Sequence, residues 1–452
     1  MAIVNLKSSP VVKSGELTRE FVEAWAASLN EPEWMTARRL EALRVFRDTP
    51  APQRSDELWR RVDLSAFKLD QIIPTISAPI TAAAGAHNDS LATLSASSAP
   101  GWVMHVDGGH VQCHIDPALA EQGVIFADIA SAARDHAPLL EKYLMTECVR
   151  LTDSYFAALH AIFLRGGVLL YVPVGVHIEA PLRALTRMTA DQRTGFNHTL
   201  VVLAEGASAT LIEEYGSEAA LGSETGTAQA LYNGAVEIIQ GKGSQFHYVS
   251  IQDWGRNVWN FTTERAHLYE NTTLHWVVGG MGAKFTKTLI EADMLGAKST
   301  ALLSGVFFTD GKQQMHIDTQ QNHIAPGCKS DLLYKNALRD ESHTVWRGNI
   351  RVFPGAQKTD SYQANRNLQL SPRSRADSIP GLEIQADDVR CTHGATVGQI
   401  EQEPMFYMAT RGVPENEARR LMVEGFFAPV IDRIPLEETR ERLTDEIGRK
   451  IG

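Results

Sequence analysis

Residues 198–215 read HTLVVLAEGASATLIEEY and contain the pattern that recurs through the middle of the chain. Two short runs rich in Val, Leu, Ile and Thr, which are typical strand residues, lie on either side of Gly206. Glycine tolerates the positive φ that a tight corner between two strands requires. The stretch therefore predicts a strand, a corner and a second strand, with no helix cap between them.

The same local context recurs along the chain at steps of roughly 30 residues. It begins at Gly206, Gly243, Asn271, Gly296, Gly327 and Gly355. Loose repeats of short strands indicate a solenoid, in which each coil buries its apolar face only by stacking on its neighbours. About seven coils at about 4.8 Å each would form a rod of roughly 35 Å between Val168 and Val389.

A large antiparallel sandwich is the rival architecture. Sandwiches favour two-residue Asn-Gly or Asp-Gly hairpins at a spacing of about 8 to 12 residues. This region has only two such steps, Asn233-Gly234 and Asp310-Gly311. We therefore predict a mainly β fold whose core, residues 166–398, is a solenoid.

Helical patterns precede this core. Residues 1–165 are expected to be mostly helical, beginning with Phe21 and Trp25 on one helix face. Asp116 is a candidate N-cap with Pro117 at the first helical position. Residues 72–101 are rich in Ala, Ser, Thr and Pro and predict an irregular connection.

Helical patterns also follow the core, in residues 399–452. Pro414 opens a segment whose apolar residues form a stripe at helical spacing. They are Ala418, Leu421, Met422, Phe426 and Val430. The stripe fits packing against the end of the solenoid, and it also fits a helix presented to a partner.

Composition excludes several classes of function. The formal net charge of -11 disfavours a nucleic-acid backbone as the main partner. The apolar runs are too short for a membrane span, and the first residues, MAIVNLKSSPVVKSGE, lack the apolar core of a signal peptide. The 4 cysteines are widely scattered, which suits reduced thiols better than a disulfide framework. We therefore expect a cytoplasmic protein.

The best candidates for metal ligands lie in DDVRCTHGATVGQI, residues 387–400, which contains Cys391 and His393. If this segment is extended, both side chains share one face, with Cα atoms about 6.6 Å apart. A thiolate and an imidazole are ligands for a soft or borderline metal, but two ligands do not close a site. The remaining ligands would come from water, a transient species or another chain. The plainer alternative makes Cys391 a half-buried hydrophobe and His393 a turn residue.

Several other stretches lack the residue spacing of the functional motifs that they resemble. GAKST at Gly296 lacks the glycine spacing of a phosphate-binding loop, so we expect no ATP site on this chain. No G-x-S-x-G nucleophile elbow is present. HVDGGHVQCH, residues 105–114, fits no metal-ligand spacing and predicts a solvated strand and turn.

Three stretches resemble the SufD family of iron–sulfur cluster assembly proteins. They are GGVLLYVPVGVHIEAPL at 166–182, KTDSYQANRNLQLSP at 358–372, and DDVRCTHGATVGQI followed by FYMATRGVPENEARRLMVEGF. The related SufB family is similar in build but has Glu after the Cys-x-His pair, where this chain has Gly394.

The resemblance implies a right-handed parallel β-helix between two helical regions. It also implies a complex with SufB, paired through the β-helix, and with the ATPase SufC, bound by the C-terminal helices. Cys391 and His393 would contact a transient iron–sulfur cluster near SufB. The candidate partner-binding residues are Met405, Phe406, Arg411, Phe426 and Phe427. The sequence leaves open a homodimer and an associated flavin, for which no motif is visible.

Two enzyme classes are weaker alternatives. A carbohydrate-active β-helix lyase or hydrolase needs carboxylates stacked on one solenoid face and is usually secreted. Neither feature is evident. A hexapeptide-repeat acyltransferase is disfavoured because the repeat shows no six-residue substructure.

Overall fold

A computed structural model describes residues 17–69, 99–189, 193–217, 229–434 and 436–451. Most of the predicted irregular connection at 72–101 lies outside these residues. The fold is mainly β, with a β-solenoid of about 8 turns and helices towards both termini. This confirms the predicted fold class.

Two sheets form the solenoid. One, here called sheet A, contains β1 (Gly101–Val106), β2 (His110–Ile115), β5 (Leu182–Met188), β8 (Ser208–Ser217), β10 (Gln245–Asp253), β12 (Thr273–Gly280), β14 (Thr300–Thr309), β16 (Lys329–Leu338), β18 (Asp360–Gln369) and β20 (Arg390–Gln399). Sheet B contains β3 (Ile125–Asp128), β4 (Gly166–Val172), β6 (Thr194–Gly195), β7 (Asn197–Leu203), β9 (Ala230–Gln240), β11 (Val258–Leu268), β13 (Phe285–Met294), β15 (Gln314–His323), β17 (His343–Val352) and β19 (Arg375–Ile384). From β7 onward the chain alternates between the sheets, and stacked strands pair in parallel.

Four predicted corners hold a residue with positive φ, at Gly206, Gly243, Asn271 and Gly327. At the other two corners, positive φ falls on Lys298 and Lys358, a few residues past the predicted glycines. Gly296 and Gly355 were predicted to supply the positive φ of their corners, and this prediction was wrong. A Cβ at Gly296 would lie 2.0 Å from the Glu270 nitrogen, so this glycine permits close approach of two backbones rather than a special φ.

The inner coils bury large apolar side chains between the two sheets. Alternate residues of each strand face inward, as strand geometry requires. The largest fully buried inward side chains include Trp276, Tyr248, Phe246 and Trp346. Burial of one such side chain stabilises the fold by roughly 1.5–3 kcal/mol, so stacking coils supplies the core that a single coil lacks.

The N-terminal region combines helices with strands. Its described helices are α1 (Arg19–Ser28), α2 (Glu33–Asp48), α3 (Pro117–Glu121), α4 (Ile129–Asp135), α5 (Ala137–Tyr143) and α6 (Tyr155–Phe163). Asp116 caps α3 by accepting from the Ala118 amide at 2.8 Å, as predicted. The hairpin β1–β2 extends sheet A and β3 extends sheet B, so the sheets reach beyond residue 166 towards the N-terminus. His105 is buried in β1, which corrects the expectation of a solvated strand there.

The C-terminal helices are α7 (Gln402–Thr410), α8 (Glu415–Ile431) and α9 (Glu437–Ile451). The helices α8 and α9 pack on the outer face of sheet A, where Val423, Phe427 and Leu443 join its apolar residues. The predicted stripe is shifted, because Leu421 is exposed while Val423 and Phe427 are buried. The stripe therefore covers the side of the solenoid rather than its end.

Candidate functional site

Cys391 and His393 lie on β20, the last strand of sheet A. In the described residues β20 pairs with β18 alone, with Cys391 opposite Ser361 and His393 opposite Gln363. Ser361 and Gln363 are buried between the sheets. Because stacked residues in register share a face, Cys391 and His393 also lie on the inward face, at the open end of the solenoid.

The two candidate ligands differ in exposure. Cys391 is half-buried beside a small apolar cluster that contains Ile350 and Ala386, whereas His393 is exposed. Burial, and to a smaller extent the Asp360 carboxylate, raises the pKa of the Cys391 thiol. A metal would therefore have to displace the thiol proton as it binds.

Within the described residues no group of three or more His, Cys, Asp or Glu side chains could hold a metal ion. A thiolate and an imidazole are donor types that fit iron or an iron–sulfur species, because both bind iron in iron–sulfur proteins.

A polar layer lies directly beneath β20. The Gln363 amide donates to the carbonyl oxygens of Gly381 at 3.0 Å and Gly348 at 3.3 Å. Asn365 accepts from the Ser378 hydroxyl at 2.5 Å. Sequence reasoning missed this layer, although every second residue of 361–369 is Ser, Gln or Asn. That alternation is the signal that would have revealed it.

The end of the solenoid exposes apolar side chains as well. Leu382 and Ile384 on β19 are 37% and 43% exposed, and Val397 on β20 is 47% exposed. In an inner strand, residues at these positions would be covered by the next coil. The terminal coil thus offers an apolar surface next to Cys391 and His393.

The candidate partner-binding residues occupy different environments. Phe406 on α7 is 72% exposed and Met405 is partly buried, while the Arg411 guanidinium lies 5.2 Å from the centre of the Tyr407 ring. Phe426 is partly buried, with the Lys335 ammonium 4.7 Å from its ring centre.

Phe427 differs from the other candidates because it is completely buried against sheet A. Its ring fixes α8 to the solenoid and is not displayed to a partner in this conformation. No helix in the described part of the chain has the length and apolar character needed to cross a membrane.

Two domains of a known protein family match the sequence. The SufBD core domain of the SUF iron–sulfur cluster assembly system matches residues 186–426, and the SufBD N-terminal region matches residues 21–184. The chain is 27% identical over 439 residues to the iron–sulfur cluster assembly protein SufD of Bacillus subtilis strain 168, covering 96% of this chain and 98% of that protein.

A second relative comes from Staphylococcus aureus strain MRSA252 and is a SufBD-family iron–sulfur cluster assembly protein. It is 30% identical over 440 residues, covering 93% of this chain and 90% of the relative. Since the core match alone spans more than half of the chain, the protein belongs to the SufBD family of iron–sulfur cluster assembly proteins and is SufD-like.

Proposed function

We propose that this chain is a scaffold subunit without ATPase activity that works with SufB and the ATPase SufC to build and transfer a nascent iron–sulfur cluster. One observation carries the proposal. Cys391 and His393 face inward on a terminal strand whose far edge has no neighbour in the described structure. A second polypeptide that docks there can supply the missing ligands.

SufB is the proposed partner at this open end. The Arg390 amide donates to the Thr359 carbonyl, towards β18, so alternate amides beginning with Cys391 point to the open edge. Such an edge favours pairing with a strand of another chain. The exposed Leu382 and Val397 would add apolar contact area to the main-chain hydrogen bonds.

The side chains of Cys391 and His393 suit a transient cluster better than a permanently bound metal ion. Because the pKa of the Cys391 thiol is raised, the isolated chain holds this group protonated at neutral pH. The positive charge of bound iron would favour the thiolate and release the proton. Affinity of the isolated pair is therefore low, and a complete ligand set forms only in the complex.

SufC is the proposed partner of the C-terminal helices. The helix α7 has no buried residue and displays Phe406 and Tyr407, and Leu421 on α8 is also exposed. Met405 lies on α7 and Arg411 directly follows it, while Phe426 and Phe427 on α8 pack towards the solenoid. ATP hydrolysis by SufC would move α7, which follows β20 after two residues. We place this assembly in the cytoplasm, where the free thiols stay reduced.

Substitution of His393 tests this function. His393 is exposed, so His393→Ala should leave folding and the mass of the complex unchanged and abolish cluster maturation. His177→Ala is the matched control, because His177 is also exposed but lies on a loop far from β20 in the chain. Normal cluster maturation by the His393→Ala complex would exclude the site. Assembly of two copies without SufB would favour a homodimer instead.

A further inference from the structure

A cavity lies inside the solenoid, several coils away from Cys391 and His393. It is enclosed by β8, β10 and β12 on one side and by β9, β11 and β13 on the other, with a volume of about 40 Å³ available to water-sized molecules. Its walls include Tyr215, Tyr232, Trp254, Asn260, Thr262 and Glu264. Two of the residues that line it, Tyr215 and Thr262, are only partly buried.

Two side-chain oxygens in this cavity have no hydrogen-bond partner. They are Oε2 of Glu264 and Oδ1 of Asn260, and their residues are only 7% and 3% exposed. A buried polar atom without a partner costs about 1–3 kcal/mol, and a charged one costs more. Native structures rarely tolerate such a pair unless water or a ligand satisfies it.

A second buried glutamate nearby is already satisfied. Glu213 on β8 accepts hydrogen bonds from the hydroxyls of Thr199 at 2.8 Å, Tyr215 at 2.9 Å and Tyr248. Glu264 has no comparable set of donors. The described lining contains no Lys or Arg to neutralise it.

We propose that this cavity binds one small monovalent cation of the potassium or ammonium class, held by the carboxylate of Glu264 and the amide oxygen of Asn260. The chemistry of the walls supports this choice of ion. The available oxygens amount to one uncommitted carboxylate and several neutral groups, whereas calcium sites use several carboxylates among 6–8 oxygen ligands. The rings of Tyr232 and Trp254, with centres 4.8 Å apart, also line the cavity, and aromatic rings are compatible with a bound cation.

Cation binding must compete with a proton on Glu264. Burial, helped by Glu213, raises the pKa of the Glu264 carboxyl to about 8, against a hydrogen bond from Thr262 that lowers it. The other titratable groups facing it are tyrosines whose pKa values are raised by burial, so they stay neutral. They are Tyr215 on β8, Tyr232 on β9, Tyr248 on β10 and Tyr334 on β16.

The sign of the pH dependence follows from this competition. Without the cation, the raised pKa makes ionised Glu264 destabilising, so stability is lost as pH rises from the ordinary carboxyl range towards 8. The cation binds only the ionised form. Its dissociation constant should therefore be about 50-fold larger at pH 6 than at pH 8.

Rubidium can probe this site in the full chain, because it mimics potassium and scatters X-rays anomalously. Crystals soaked in rubidium chloride at pH 8.5 should show an anomalous peak beside Glu264 and Asn260. Thermal denaturation should show stabilisation by rubidium over choline at equal ionic strength, and this gain should disappear at pH 6.

Glu264→Gln keeps the size of the side chain and matches the neutral acid, so it should fold and lose both the peak and the stabilisation. Glu270→Gln, on an exposed corner, is the control and should keep both. An ordered water in place of rubidium, equal stabilisation of wild type and Glu264→Gln, or binding of manganese but not rubidium would each overturn the proposal.

Discussion

The two ends of the solenoid are built differently. At the N-terminal end, here called the closed end, the edge strands are the short β2 and β3, each paired antiparallel, and β3 packs against the helical core. At the C-terminal end β19 and β20 each have one paired neighbour in the described structure. Both ends thus have edge strands in the described structure, but only those at the C-terminal end, each 10 residues long, expose large apolar side chains.

The residues that face the inside of the solenoid become more polar towards the open end. One column of stacked residues runs Leu332, Gln363 and His393, and the next runs Ser330, Ser361 and Cys391. A polar cap alone would account for polar residues on a terminal coil. It does not account for the exposed Leu382 and Val397 beside them, which fit a surface that another polypeptide covers.

Removal of a buried glutamate that joins the solenoid to the N-terminal helical region should have the largest effect. Glu237 is fully buried and accepts from the Met145 amide at 2.7 Å and the Val149 amide at 2.8 Å, while His198 Nε2 lies 2.9 Å away. Glu237→Ala leaves these groups unpaired and should lower the free energy of unfolding by about 3–5 kcal/mol. Chemical denaturation of the wild type and of the variant measures this difference in the free energy of unfolding.

The matched variant at the open end is Glu383→Ala on β19, where the side chain is exposed. It should change the free energy of unfolding by less than about 0.5 kcal/mol. Equal losses in the two variants would erase the contrast between the two regions.

A charge placed on the exposed apolar surface should weaken docking and spare folding. Val397→Asp should weaken binding to SufB at least about tenfold, which corresponds to about 1.4 kcal/mol, because an unpaired carboxylate would be buried on association. Surface binding measurements with purified SufB give the affinity. Val174→Asp is the control, since Val174 is 70% exposed on a loop near the closed end; similar binding by both variants would place the partner elsewhere.

The smallest expected effect concerns the thiol itself. Asp360 contributes to the raised pKa of Cys391, although burial contributes more. Asp360→Asn should therefore lower this pKa and increase the rate of Cys391 alkylation by iodoacetamide about twofold at neutral pH. The exposed Cys113 in the same sample gives the reference rate. A slower reaction of Cys391 would show that the carboxylate acts in another way.

The fold was largely predictable because its repeat depends on local signals. Corner residues such as Gly206 and Asn271 separate short strands at nearly constant steps, and both adopt positive φ. Lys298 and Lys358 adopt the same conformation without a sequence signal, since tertiary contacts fix these corners. The sequence predicted a strand and turn at residues 105–114 but not the pairing of β1 with β2, because these strands complete a sheet formed mainly by residues far along the chain.

The candidate site was predictable in its residue types but not in its surroundings. Strand periodicity correctly put Cys391 and His393 on one face, and register with Ser361 and Gln363 shows that this face is the inward one. Register between coils depends on loop lengths, which a sequence does not fix. The sequence also grouped Phe427 with Phe426, because tertiary packing decides which side of α8 faces sheet A, and of the two only Phe427 is fully buried.

Hydrogen exchange tests most directly whether the open end is completed by another chain. On addition of SufB, amides of β20 and β19 should exchange more than about tenfold more slowly, as new hydrogen bonds protect the edge. Amides of β16, which is paired on both sides, should not change. If a complex with SufB forms and the amides of β19 and β20 exchange at their free rates, the partner binds elsewhere and the account of the open end is wrong.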